Sequence, residues 1–581
     1  MVQLAFSDPD PRDIFLQGLI EEKNTLSSLT EAYQLESSVV VPAQRSYTGS
    51  KMVISSSLAD TPCATLGVQG MLNQLNAALK TSNTTLGHPH LSALLEDCIS
   101  NHYDFGTAYG RLRRRWYNTD WSHFQDILHA HEIEDMKMRQ DAFVGNRIVN
   151  PNMPPRRVWD LYSNRVVPYW IIKSEQWLWG ISHAWMDEGD LDRVETTING
   201  HEWPVPIPKD ANLDLIRLEL LNLGAEYVWL DVLCLRQEYG PGEDLRAEEW
   251  KLDRPTIGHV YRMATEVVCY FSGLGRPWTL KEGDLDSNRS WFRRVWTLQD
   301  VGRKMVIAGD TPNGPQHVKP ADETEEKMLA RVHRQLNFSK VVSRGFESDV
   351  FNVLADMRDR ISTNPVDKIA GLAFPLRSTA IAAYYELESL EDAWTALVDT
   401  MGARYRAQLF FLYPEPGNGR KKWRPSWEQV MRKPGLRVDG FQVATISWDE
   451  PPLSRDGSPE IMAVRDEEGD VDYHQLFCID NVIVEGLAVK YETARWGQFI
   501  VTKEGSHGGH SFKIGAGHQY PIPEGTYTLI SSHMESQYWV VGKRLSDQRF
   551  EKVSVFEMDS SDEIKELMDL GVAKRSPIFL L

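Results

Sequence analysis

Tyr227-Val-Trp-Leu-Asp-Val-Leu-Cys-Leu-Arg-Gln237 is a nearly continuous apolar run that ends on polar groups. Such a run marks a strand buried on both faces of a parallel sheet. The neighbouring sequence supports that reading. Gln176–Ser182 has the pattern of a buried strand, and Asp210–Leu223 places Leu213, Ile216, Leu220 and Leu223 at helical spacing before stopping at Gly224. Thr256–Ala264 reads as a helix, Val267–Phe271 as a third strand, Ser290–Val301 as a helix and Lys304–Ala308 as a fourth strand. Strands alternating with helices predict an α/β domain with a parallel sheet and right-handed crossovers.

Polar groups collect where these strands end. Ser182, His183 and Trp185 follow the first, Asp231 and Gln237 lie on and after the second, and Asp300 precedes the fourth. Ligands of parallel sheets bind beyond the carboxyl ends of the strands. Two carboxylates, an imidazole, a hydroxyl and indole faces there suit a ribose-bearing ligand, because carboxylates accept from sugar hydroxyls and indoles stack on flat rings. Each residue also has a plainer reading. Asp231 caps a strand or pairs with an arginine, Arg294 forms a surface ion pair, and Trp296, Leu298 and Val301 at helical spacing belong to a core. Ser182 and His183 are no catalytic dyad if both lie on one strand, since successive side chains point to opposite faces.

The chain has 581 residues, which predicts two to four domains. Its 42% hydrophobic and 25% charged content is that of a soluble globular protein. No run of about eighteen apolar residues predicts a membrane span. The N-terminal Met-Val-Gln-Leu-Ala-Phe-Ser-Asp-Pro-Asp has no basic n-region, so no secretory signal is expected. Cys63, Cys98, Cys234, Cys269 and Cys478 are scattered, as reduced thiols of a cytosolic or nuclear protein would be; a cytoplasmic location is expected, without a structural zinc site. A formal charge of −19 argues against nucleic-acid partners. The basic cluster Arg111–Arg115 is expected to be a solvated helix face.

Five regions follow from the pattern. They are a partly disordered N-terminus at 1–45 with weak helical periodicity over Ile14–Leu35, a helical region at 46–155, the α/β domain at 168–310, a helical region at 320–430, and a β-rich C-terminal module at 435–581, all-β or α+β. Asn150-Pro-Asn-Met-Pro-Pro155 is the candidate boundary. Strands are expected in the last region at Glu485–Val489, Thr526–Ser531 and Tyr538–Lys543. Gly180-Ile-Ser-His-Ala184 half-matches a nucleophile elbow but lacks an obvious following helix. His507-Gly-Gly-His510 reads as a loop, and His129-Ala-His131 lacks zinc-protease spacing.

Three segments also resemble the heterokaryon-incompatibility (HET) domain of fungal proteins. They are Ser182-His-Ala-Trp185, then Leu223-Gly-Ala-Glu-Tyr-Val-Trp-Leu-Asp-Val-Leu-Cys-Leu-Arg-Gln237, then Arg294-Val-Trp-Thr-Leu-Gln-Asp300. Ile257-Gly-His-Val-Tyr-Arg-Met-Ala264, Asn364-Pro-Val-Asp-Lys-Ile-Ala-Gly-Leu372 and Trp423-Arg-Pro-Ser-Trp427 agree with the same pattern. The resemblance implies a TIR/flavodoxin-like parallel sheet. It further implies a role in programmed cell death, non-self recognition or innate-immunity-like signalling, with self-association through the HET domain and a protein trigger. No cofactor is required in that reading. Some TIR-like domains cleave NAD with a glutamate four residues after a tryptophan; at that spacing from Trp296 this chain has Asp300, one methylene shorter. A misplacement of roughly 1 Å costs about 100-fold in rate. By this resemblance Asp300 is the catalytic candidate with NAD as substrate. Ser182, His183, Trp185, Asp231, Arg294 and Trp296 are the ligand-binding candidates.

Overall fold

The computed structural model describes residues 25–26 and, apart from short interior stretches, 47–309, 350–435 and 472–580, with isolated positions between. The chain forms two compact units. The first comprises Met1–Arg344, Arg360–Pro375 and Ala380–Leu387; the second comprises Gly345–Asp359, Leu376–Thr379 and Glu388–Leu581. No helix among the described residues is long and apolar enough to cross a membrane.

The first unit is a mixed α/β structure built on a seven-stranded sheet. Its strands are β1 (Thr25–Leu26), β2 (Arg157–Asp160), β3 (Arg165–Pro168), β4 (Leu178–His183), β5 (Tyr227–Leu230), β6 (Glu266–Tyr270) and β7 (Met305–Ile307). They lie in the order β1-β7-β6-β4-β5-β2-β3. β1, β7, β6, β4 and β5 are mutually parallel, whereas β2 and β3 join antiparallel beside β5. Helix α1 (Leu213–Leu223) links β4 to β5, and α2 (Asp231–Cys234), α3 (Arg246–Asp253) and α4 (Ile257–Met263) lie between β5 and β6. The winding therefore places β5 on one side of β4 and β6 and β7 on the other. It reverses between β4 and β6, where an open α/β sheet offers a crevice.

Local chemistry sets these elements. Asn212 accepts from the amides of Asp214 and Leu215 to start α1, and Gly224 at φ 105° ends it. β5 is buried throughout, as its apolar run predicts. The run does not stay extended to Leu235, however. Asp231 opens a single helical turn whose carbonyl accepts from Leu235, and the Gln237 amide donates to the carbonyls of Asp231 and Leu235.

The expected helix at Ser290–Val301 is instead two 3-10 turns, Trp291–Arg293 and Trp296–Leu298. The break falls at Arg294, which is extended at φ −85° and ψ 140°. Its neighbours are tied to a distant segment: Ile361 N–H donates to the Arg293 carbonyl, and Val295 N–H donates to the Ile361 carbonyl.

Of the weakly periodic stretch Ile14–Leu35, the described residues Thr25 and Leu26 form a strand paired with Val306 and Ile307. Helices occupy much of 56–140, and they share one hydrophobic core with the sheet. Leu72, Leu95 and Tyr109 belong to the same cluster as Trp159, Ile181 and Tyr227. The stretch 150–155 thus lies inside the first unit. Arg113 is not on a solvated face. It is buried, with Nε and Nη2 donating to the two Asp160 oxygens at 3.1 and 2.9 Å and Nη1 donating to Glu226 at 2.8 Å.

The second unit carries the β-rich sheet together with the helices Val350–Arg358, Leu390–Thr400, Ala403–Phe411 and Trp427–Arg432. Ser426 starts the last of these in a reciprocal capping box with Gln429. The long strand Asp472–Glu485 pairs with Gly525–Ser531 and with Lys574–Leu580. Ile564 and Leu567 from helix Ser561–Leu570 close the sheet core. The expected strands near 526–531 and 538–543 are present. That at 485–489 is not, because Glu485 ends its strand and Gly486 turns at φ 88°.

Candidate functional site

β4 delivers Ser182 and His183 to the winding reversal, and their opposed directions give them separate partners. The Ser182 side is fully buried. Trp291 Nε1–H donates to Ser182 Oγ at 2.7 Å, and Ser182 Oγ donates to Asp300 Oδ2 at 2.8 Å. An indole N–H can only donate, so Ser182 Oγ accepts from Trp291, and its own proton remains available for the carboxyl. Tyr261 closes this side from α4. Its hydroxyl donates to the Ile181 carbonyl at 2.8 Å, and its ring occupies the place of a side chain at Gly180, where a Cβ would lie 2.9 Å from the ring.

Asp300 is 6% exposed, and among the described residues its Oδ1 has no hydrogen-bond partner. Burial pushes its carboxyl well above the usual range against the opposing Ser182 hydrogen bond, and the Asp231 charge adds to the rise. The acid is therefore neutral over a pH range where an exposed aspartate is ionised.

The His183 side is organised by a carboxylate with both oxygens engaged. His183 Nε2 lies 2.8 Å from Asp231 Oδ1, and Val232 N–H donates to the same oxygen at 2.8 Å. Trp185 Nε1–H donates to Oδ2 at 2.8 Å. The imidazole and indole rings stack with centroids 5.6 Å apart. Burial works to raise the Asp231 pKa, but the His183 imidazole and these donors outweigh it and hold the group below the usual range. An ionised carboxylate only accepts, so Nε2 carries the ring proton toward it. His183 Nδ1 is buried without a hydrogen-bond partner among the described residues.

Arg294 and Trp296 stand apart from both groups. The half-buried Arg294 guanidinium makes no hydrogen bond or ion pair among the described residues; burial lowers its pKa, and the charges of Asp187 and Asp367 oppose that. Trp296 packs beside Tyr384, with the Arg254 guanidinium 5.5 Å from its ring. Arg254 and the Tyr384 hydroxyl both donate to Asp367, at 3.1 and 2.9 Å. Arg360 links the groups: it donates to the Arg294 carbonyl and to Thr297 Oγ1, and its charge acts on Asp300.

The structure thus joins Ser182 to Asp300, and His183 and Trp185 to Asp231, with the two carboxyls coupled electrically. Arg294 and Trp296 belong to the neighbouring Asp367 cluster. Trp291 is not among the sequence-derived site residues, although it sits three residues before Arg294; Gly180 and Tyr261 lie in motif segments, but their sequence gives no sign of the contact between them. Ser182 lies within a strand, bonded to a carboxyl rather than to the adjacent histidine, so the nucleophile-elbow alternative has no geometric support. Among the described residues no group of three His, Cys, Asp or Glu side chains is arranged to hold a metal ion. The five cysteines are free and buried.

No family model, curated protein or solved structure matches this chain significantly.

Proposed function

We propose that this chain is a cytoplasmic signalling protein of the heterokaryon-incompatibility type, acting in cell death or non-self recognition, and that its strand-end site takes a nucleotide of the NAD class. Two features support a TIR/flavodoxin-like reading of the first unit: the parallel strand order, with its reversal beside β4, and the three motif segments meeting there. The observation that carries the ligand site is the Asp300 carboxyl, buried at that reversal with one oxygen unpartnered. A protein trigger and self-association through this unit complete the proposal.

Asp300 also favours a second reading, in which NAD is cleaved. A neutral acid does little to stabilise an oxocarbenium ion, which needs an adjacent anion. A pyridinium ring entering the site changes that, because a nearby cation favours the ionised form. The substrate would then ionise its own catalyst, and a site at rest would be inert.

Purified protein incubated with NAD separates the readings. Nicotinamide release that is lost in Asp300→Asn supports cleavage. NAD binding without release, weakened by Asp300→Asn, supports signalling without turnover. No binding by calorimetry overturns the nucleotide site. In cells, overexpression toxicity is expected to disappear in Ser182→Ala and Asp300→Asn. Point variants are the appropriate probe, since deleting 168–310 would remove most of a shared core.

A further inference from the structure

We infer that His183, oriented by Asp231, is the general base of the strand-end site and takes a proton at Nδ1 from the attacking water. This inference rests on the cleavage reading above. The geometry points to it in three ways. Both Asp231 oxygens are engaged, Oδ1 receiving His183 and the Val232 amide and Oδ2 receiving the Trp185 indole. It therefore orients rather than reacts. Its hold on Nε2 fixes the tautomer and leaves the Nδ1 lone pair free. The imidazolium formed on proton uptake is stabilised by the carboxylate 2.8 Å from Nε2 and by the stacked indole of Trp185. A carboxylate holding one imidazole nitrogen while the other takes the proton is the arrangement of acid–base histidines in hydrolases. Nδ1 lies out of bulk solvent, so the water must arrive with the substrate.

The step balances without a co-reactant. The bond between ribose C1′ and the pyridinium nitrogen breaks, and its electron pair neutralises the ring, which leaves as nicotinamide. Water oxygen bonds to C1′, and its proton passes to His183 Nδ1. The proton is later released to solvent, leaving ADP-ribose.

A base is needed only when the nucleophile carries a proton to lose. Hydrolysis needs one; exchange of nicotinamide for added 3-acetylpyridine does not, because the pyridine attacks through a lone pair. Purified protein is therefore given NAD and 3-acetylpyridine, and ADP-ribose and the exchanged dinucleotide are measured together. His183→Gln, whose amide can still donate to Asp231, is expected to lower hydrolysis by about 100-fold or more while exchange persists. Asp231→Asn, which leaves the imidazole in place, is expected to lower hydrolysis selectively and by a smaller factor. If both products fall together, or neither falls, in a His183→Gln protein with an unchanged melting transition, the inference is overturned while cleavage itself stands. Should His183→Gln fail to fold, the product ratio of Asp231→Asn decides. Wild-type protein that forms neither product overturns the cleavage reading and this inference with it.

Discussion

Asp300 and Asp231 are two carboxyls beside the end of β4, pushed in opposite directions. Asp231 has three donors around it, whereas at Asp300 burial outweighs the Ser182 and Tyr261 hydroxyls and the Arg360 charge. Their effects on stability have opposite signs. Asp231, depressed in the fold, contributes stability that is present above its unfolded value of about 3.9 and is lost as pH falls through its folded value. Asp300, raised in the fold, binds its proton more tightly folded than unfolded. Stability therefore declines as pH climbs from about 3.9 toward its folded value. Asp300→Asn keeps a similar shape and has nothing to ionise. It is expected to be more stable than wild type near neutral pH, with the gain fading toward pH 4; denaturant melts at several pH values read this directly. A gain that does not vary with pH would mean that Asp300 is ionised in the fold. At this scale the sequence was partly legible. Ser182, His183, Asp231 and Asp300 stand out because polar groups ending apolar runs mark strand ends. Their pairing was not legible, since it depends on which face each occupies. Trp291 and Tyr261 carry no such mark, for an aromatic in an apolar segment looks the same whether it packs or donates.

Elements were legible where burial is continuous. β4 to β7 all fall where apolar runs predict them, because strands covered on both faces cannot tolerate polar interruption. The segment 290–301 fails for a nonlocal reason. Its spacing fits a helix, but two backbone hydrogen bonds to Ile361 outweigh that preference and hold Arg294 extended. A segment more than sixty residues away cannot be seen in a local window. The same break places Asp300 just beyond the second turn rather than on a continuous helix, so its distance from Trp296 along the sequence is a poor guide to reach. The contact between β4 and α4 is tighter still. Gly180→Ala would put a methyl 2.9 Å from the Tyr261 ring, with Ile181 holding that tyrosine by its hydroxyl. A loss of about 1–3 kcal/mol is expected from overpacking, measured by chemical denaturation. A neutral result would show that α4 can shift away from the sheet.

Across the molecule, each unit has its own hydrophobic core, and the second holds a buried lysine amine the sequence gives no hint of. Lys552 is 2% exposed, and its Nζ donates to the Phe410 carbonyl at 2.5 Å. Burial pushes its pKa well below the usual lysine range. The unfolded chain therefore holds this proton more tightly, and stability of the second unit rises with pH between the folded value and about 10.4. Lys552→Met should flatten that dependence, as followed by thermal melts from pH 7 to 10; an unchanged slope would mean that the amine stays charged.

The antiparallel strand β3 has a consequence for assembly. Alternation along a strand turns every second amide outward. In β3 these are at Val166, whose N–H is already donated to the Ile198 carbonyl at 2.6 Å, and at Pro168, which has none. This margin of the sheet has no free amide with which to recruit a further strand. Copies of the chain cannot grow there by templated β-addition. Association at this side would use side-chain surfaces instead of backbone pairing.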